Sequence, residues 1–182
     1  ITTKAYNRFL EKGGIKKGIF KILEDIQPND MDSGETASKK IRSLIENTPV
    51  DEELQDYMGE FYRRLSKKCH VPAVPVAVRS SATAEDLPGA SFAGQQDTFL
   101  WIRGIDDVFN HIKKCWSSLF AARAIYYRAK MGFPHEKVEI SVGVQKMANA
   151  WTAGVMFTLN PATGDRASIA IDANWGFGES VV

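Results

Sequence analysis

The spacing of apolar residues changes at Pro72, and that change limits the chain to folds that combine helices with antiparallel strands. Before Pro72 the apolar residues recur every three or four positions, the period of a helix with one buried face. Thr2 or Thr3 caps a first helix carrying Tyr6, Phe9 and Leu10, which Gly13-Gly14 closes. Ile15, Ile19, Ile22, Leu23 and Ile26 continue at helical spacing until Pro28. Ala37, Ile41, Leu44 and Ile45 define a third helix. Pro49-Val50-Asp51 opens a fourth, with Leu54, Tyr57, Met58, Phe61 and Leu65 as its apolar stripe. The Lys and Glu residues between these stripes read as solvated faces.

After Pro72 the period falls to two. Val74, Val76 and Val78 alternate along a strand, and Pro75 marks either an edge strand or a strand start. Asp97–Ile102 reads as the returning strand, so 79–96 is a long connection, a kind that is usually functional. Residues 105–131 form one long helix or two, with Val108, Phe109, Ile112, Trp116, Leu119 and Phe120 inward, ended by Gly132-Phe133-Pro134. Strands then follow over Val138–Met147, Trp151–Leu159 and Ser168–Asn174, with turn chemistry at Asn149-Ala150 and from Asn160 to Gly164. The expected fold class is α+β, with a helical part over 1–68 and a β-rich lobe over 69–182. A start at Ile1 and a stop just after a Gly-rich turn lead us to expect a piece of a longer polypeptide.

Composition removes several function classes. Lys and Arg total 23 against 22 Asp and Glu, a net charge of +1, so no general field draws nucleic acid or an anionic membrane. Any anion must be met by a local cluster. The apolar run Pro72–Val78 is too short to cross a bilayer. Cys69 and Cys115 build neither a disulfide framework nor a CxxC metal site, and a reduced, cytoplasmic setting is expected. His70, His111 and His135 lack ligand spacing. The GxxxxGK[ST] loop, the three-glycine dinucleotide fingerprint, the protein-kinase triplets and GxSxG are all missing. Trp101, Trp116 and Trp151 are expected in the core.

The densest chemistry lies between Val78 and Thr98. An arginine, Arg79, ends an apolar strand and leads into a run of Ser, Ala and Gly. Small residues let backbone N–H groups approach phosphate oxygens, and a guanidinium adds a forked, permanently charged donor. The same residues also fit a plain surface loop in which Arg79 pairs with Glu85 or Asp86. Residue types alone leave both readings open.

The segment VRSSATAEDLPGASFAGQQDT (Val78–Thr98) resembles the nucleotide-binding domain of the phosphoenolpyruvate synthase (pyruvate, water dikinase) and pyruvate phosphate dikinase family. Val142–Met147, Gly154–Gly164 and Trp175–Glu179 resemble it further in the same order, as does the opening Ile1–Tyr6. The resemblance implies an ATP-grasp-like fold whose two lobes clamp ATP. It implies a catalytic Arg79 on the ATP phosphates and a phosphate loop of Ser91, Phe92, Ala93 and Gly94, with the Thr98 hydroxyl nearby. Gln145 and Met147 would form a hinge bonding adenine through backbone groups, and Thr158 a polar contact near the triphosphate. Glu179 would face Mg²⁺ or merely cap the chain after Gly178, so the metal ligands stay unassigned.

The family's phosphate-contacting lysine belongs upstream of Ile1. Its phosphorylated histidine and pyruvate-binding barrel belong to separate domains, and no histidine here fits the former. The activity implied is phosphorylation of that histidine from ATP and then of pyruvate, giving phosphoenolpyruvate, AMP and phosphate. Rifampin phosphotransferase and phenylphosphate synthase share the motifs, so the acceptor stays open, as does a non-catalytic nucleotide-binding subunit. Without the lysine and the second lobe, residues 1–182 alone are expected to be inactive. Neither nucleic acid nor membrane is an expected partner.

Overall fold

The computed structural model describes residues 1–24, 26, 31–83, 86–87, 90–91 and 97–181, with Met31, Asp86, Leu87, Ala90, Ser91 and Ser180 described by backbone alone. The described chain falls into two compact units, Ile1–Met147 and Ala148–Val182. The expected passage from helices to strands near residue 68 is a change of local structure, and the units part between Met147 and Ala148.

In the first unit, helices α1 (Thr3–Lys12), α2 (Lys16–Glu24), α3 (Met31–Asn47) and α4 (Glu52–Lys68) precede the first strand. Thr2 occupies the N-cap of α1 in extended conformation, but its hydroxyl makes no capping bond; only its carbonyl accepts, from Ala5 and Tyr6. At the other end Gly13 abuts α3's exit so closely that a Cβ there would lie 2.6 Å from Thr48 Cγ2, and Gly14 turns the chain at φ +65°. Asp51 caps α4 by accepting from Leu54 N–H at 3.3 Å, and Arg8 of α1 reaches Asp51 at 2.5 Å and Glu53 at 2.6 Å.

The buried side of α4 is Leu54, Met58, Tyr62 and Ser66. Tyr57 and Phe61, expected inside, are 55% and 60% exposed. The helix is turned toward Tyr62 and Ser66 because these two hold the next segment. Tyr62 donates its hydroxyl to the Val74 carbonyl at 2.9 Å, and Ser66 Oγ accepts from Val74 N–H at 3.2 Å.

Strand β1 (Val76–Ala82) begins directly after Pro75 and is the centre of an antiparallel sheet ordered β4-β1-β5, with β4 over Thr98–Ile102 and β5 over Ile140–Lys146. Pro75 therefore marks a strand start, not an edge. Between β1 and β4 lies a two-residue-long ribbon of β2 (Asp86–Leu87) and β3 (Ala90–Ser91). On β4 the pairs Val78↔Phe99 and Val76↔Ile102 leave Leu100 and Trp101 together opposite Ala77, a bulge. Trp101 sits there at φ 58°, which costs a side-chain-bearing residue about 1–2 kcal/mol.

The region 105–131 is two helices, α5 (Ile105–Ser118) and α6 (Ala122–Met131). The core lies between them, α1 and the inner face of the sheet, where Val76, Val78, Ala82, Ile140 and Val142 meet Phe9, Ile112, Trp116 and Phe120. Trp116 is wholly buried, its ring 4.7 Å from that of Phe9. Arg128 of α6 is buried as well (1% exposed) and donates Nε–H to His135 Nδ1 at 3.0 Å; its two terminal nitrogens have no hydrogen-bond partner among the described residues.

The second unit is a hairpin of β6 (Thr152–Phe157) and β7 (Ala170–Trp175), followed by a short 3-10 turn over Gly178–Ser180. Its connection is fixed by Asn160, whose Oδ1 accepts from Ala162 and Thr163 N–H, the Asx geometry the sequence suggests. Trp151, expected in the core, is 83% exposed, and Trp175 is 77% exposed. A two-stranded ribbon has too few layers to cover them. The fold class is α+β, as expected.

Candidate functional site

Alternation along β1 separates two chemistries. Val76, Val78, Ser80 and Ala82 face the core, whereas Arg79 and Ser81 face outward and are exposed. Residues directly opposite in an antiparallel pair project to the same side. Arg79 is opposite Thr98 on β4 and Gly143 on β5, so the three form one row across the sheet. Ser81 is opposite Ser141, which donates its hydroxyl to the Ser81 carbonyl at 3.1 Å, and Gln145, opposite Ala77, is exposed on this same face.

Arg79 has no hydrogen bond or ion pair through its side chain among the described residues. The alternative partners, Glu85 and the Asp86 side chain, lie outside them. Beside it Gly143 contributes no side chain, and among the described residues a Cβ there would meet the Arg79 carbonyl alone, at 3.8 Å. The outer face offers, among the described residues, one forked cation, the hydroxyls of Thr98, Ser81 and Ser141, and no carboxylate. Each charge-assisted bond from such an arginine to a phosphate oxygen is worth about 1.5–3 kcal/mol.

The other expected site residues are placed as follows. Ser91 is the partner of Asp86 in the small ribbon, and Phe92, Ala93 and Gly94 lie outside the described residues. Met147 closes β5's course and is half-buried. Its N–H is already donated to the Pro75 carbonyl at 2.8 Å, and Pro75 has no N–H to return. Among the described residues no hydrogen bond reaches the Met147 carbonyl. Thr158 follows β6 and Glu179 lies in the 3-10 turn, both exposed and both in the second unit. The structure therefore brings together Arg79, Thr98 and Gln145.

Gly143, Ser81 and Ser141 complete the face; the period-two pattern was the signal that could have found them. Among the described residues no three His, Cys, Asp or Glu side chains group to hold a metal ion. The outer face carries, among the described residues, no carboxylate to hold Mg²⁺.

A cation and hydroxyls on one sheet face are groups that can receive an anion. The chain belongs to the pyruvate phosphate dikinase AMP/ATP-binding domain family, whose model matches residues 1–182. It is 50% identical to a probable phosphoenolpyruvate synthase of Staphylothermus marinus over 100% of this chain and 22% of that protein. Over the whole chain it is also 50% identical to a probable phosphoenolpyruvate synthase of Methanocaldococcus jannaschii and to the phosphoenolpyruvate synthase of Helicobacter pylori, covering 15% and 23% of them. The chain thus spans less than a quarter of the length of these relatives.

Proposed function

We propose that this chain is the ATP-binding part of a phosphoenolpyruvate synthase-like dikinase. The observation that carries the proposal is the row Thr98–Arg79–Gly143 on one sheet face, with an exposed guanidinium that has neither partner nor neighbouring carboxylate among the described residues. Arg79 would hold the phosphates and balance charge as the β–α phosphate bond breaks, which is most of what phosphoryl transfer asks of a protein. Ser91 to Gly94 would line the phosphates with N–H groups, and the Thr98 hydroxyl would complete that end. Gln145 and Met147 would frame adenine, the Met147 carbonyl accepting from its amino group. The roles of Thr158, as a polar contact to the triphosphate, and of Glu179, toward Mg²⁺, rest on the family resemblance of Gly154–Gly164 and Trp175–Glu179 alone. Mg²⁺ would arrive with the nucleotide, held by phosphate oxygens.

In the whole protein, a histidine on a separate domain would take the β,γ-pyrophosphoryl group of ATP, breaking the α–β phosphoanhydride bond and releasing AMP. Water would then hydrolyse the terminal phosphoryl group to phosphate, and pyruvate on a further domain would receive the phosphoryl group left on the histidine, giving phosphoenolpyruvate. The setting is cytoplasmic, in keeping with the fact that no described helix is long and apolar enough to cross a membrane.

The test is ATP titration by calorimetry, together with AMP release, in the full-length protein carrying this chain. Arg79→Ala should lower ATP-dependent turnover about a hundredfold or more, the loss of two charge-assisted bonds, with an unchanged unfolding midpoint. Near-normal affinity and turnover would sink the assignment. AMP release that follows rifampin or phenol instead of pyruvate would move the protein to those relatives.

A further inference from the structure

We infer that the Arg42–Asp97 ion pair is a positioning device for the nucleotide site, setting the start of β4 and thereby the place of Thr98 beside Arg79. The inference rests on the reading of the Arg79 face as the site for ATP.

Asp97 is the residue immediately before β4, and donors from three different elements converge on it. From α3, Arg42 Nη2 lies 3.2 Å from Asp97 Oδ2. From β1, Ser80 Oγ donates to the Asp97 carbonyl at 2.9 Å. From α5, the buried Cys115 thiol reaches the same carbonyl at 3.6 Å. Arg42 is itself steadied: Glu46, one turn on, lies 3.7 Å from its Nε. Glu46 in turn accepts from Ser117 Oγ at 2.6 Å through its carboxylate and from Lys113 Nζ at 2.7 Å through its carbonyl. A continuous polar chain therefore runs from α5 through α3 to the residue just before the strand.

Geometry makes the purpose specific. Ser80 alternates with Arg79 and faces the core, so its bond and that of Cys115 hold Asp97 from the inner side. The outer face, where Thr98 stands opposite Arg79, is left free for a ligand. Both carboxylate and guanidinium are about one-third exposed, at 31% and 33%. An ion pair so placed contributes only about 0.2–1 kcal/mol to stability. A brace of that size explains little of the fold. Its value lies in fixing where β4 starts, because a displacement of about 1 Å at a reacting group can cost a hundredfold.

The experiment uses the full-length protein, with ATP affinity measured by calorimetry and urea unfolding followed in parallel. Asp97→Asn and Arg42→Gln should each weaken ATP binding about tenfold, and the double variant should bind no worse than either alone. Arg42→Lys, which keeps the charge, should stay within about threefold of the parent. Unfolding midpoints should move little throughout. Unchanged affinity in both single variants, losses that simply add, or losses that track falling stability would overturn the inference. Arg79→Ala separates the two levels. If it binds ATP as the parent does, the nucleotide reading fails and the positioning role with it; if it loses ATP while the Asp97 and Arg42 variants do not, only the positioning role fails.

Discussion

Lowering the pH should loosen the fold through one histidine. Arg128 is buried, and its Nε–H is donated to His135 Nδ1 at 3.0 Å, so the imidazole must keep a lone pair at that nitrogen. Burial, and then the Arg128 charge, push the His135 pKa down to about 4 from an ordinary 6.5, with Glu136 opposing weakly. The neutral ring is thus the folded form. Its contribution is complete above pH 6.5 and is lost as the pH falls from 6.5 toward 4, where the unfolded chain takes up a proton that the folded one refuses.

A shift of this size corresponds at most to about 3.4 kcal/mol at 1.36 kcal/mol per pH unit. The ring is only partly covered, and solvent screening reduces the effect to roughly 1–2 kcal/mol. Urea unfolding of parent and His135→Asn between pH 7 and pH 4.5 measures it, since Asn can accept the same bond and does not titrate. The parent should lose about 1–2 kcal/mol more than the variant over that interval. Equal losses would refute the reasoning, because the carboxylates common to both proteins would then explain the whole pH dependence.

Trp116→Ala should cost about 3–5 kcal/mol in urea unfolding, since it empties the wholly buried site between Tyr6 and Phe9. Gly13→Ala should cost about 1–3 kcal/mol from the contact with Thr48 Cγ2. Thr48→Ser removes that methyl and keeps the hydroxyl bond to the Leu44 carbonyl, and it should recover much of the loss. A Gly13→Ala variant as stable as the parent would place the close approach elsewhere.

Local periodicity was a sound guide wherever one element met one partner. The apolar residues of α1 and the alternation along β1 are legible because each has a single buried side, but the connection expected over 79–96 starts later: β1 runs on to Ala82, so Arg79 lies within the strand, opposite Thr98. Reading failed where a side chain answers to several elements at once. Tyr62 and Ser66 look ordinary in α4, yet their bonds to Val74 rotate Tyr57 and Phe61 into solvent. The burial of Arg128 depends on α6 packing beside Phe120, which no spacing along the chain records. That Met147's N–H is donated to the Pro75 carbonyl is likewise a register fact outside any local pattern. Asp97 carried no signal of its own, since its three donors come from residues 17 to 55 positions away.

The second unit's hairpin has a consequence on the time axis. Amides of β1 lie between two neighbours and above the core, and deuterium should replace their protons only through opening of the whole first unit. Each strand of the β6–β7 ribbon has only one neighbour among the described residues, with Met156, Ile171 and Trp175 all more than 60% exposed along one face. Its amides should exchange through small local openings, orders of magnitude sooner. One polypeptide thus carries a slow and a fast isotope clock. A ligand that draws the ribbon into a fixed arrangement would announce itself by slowing the fast one.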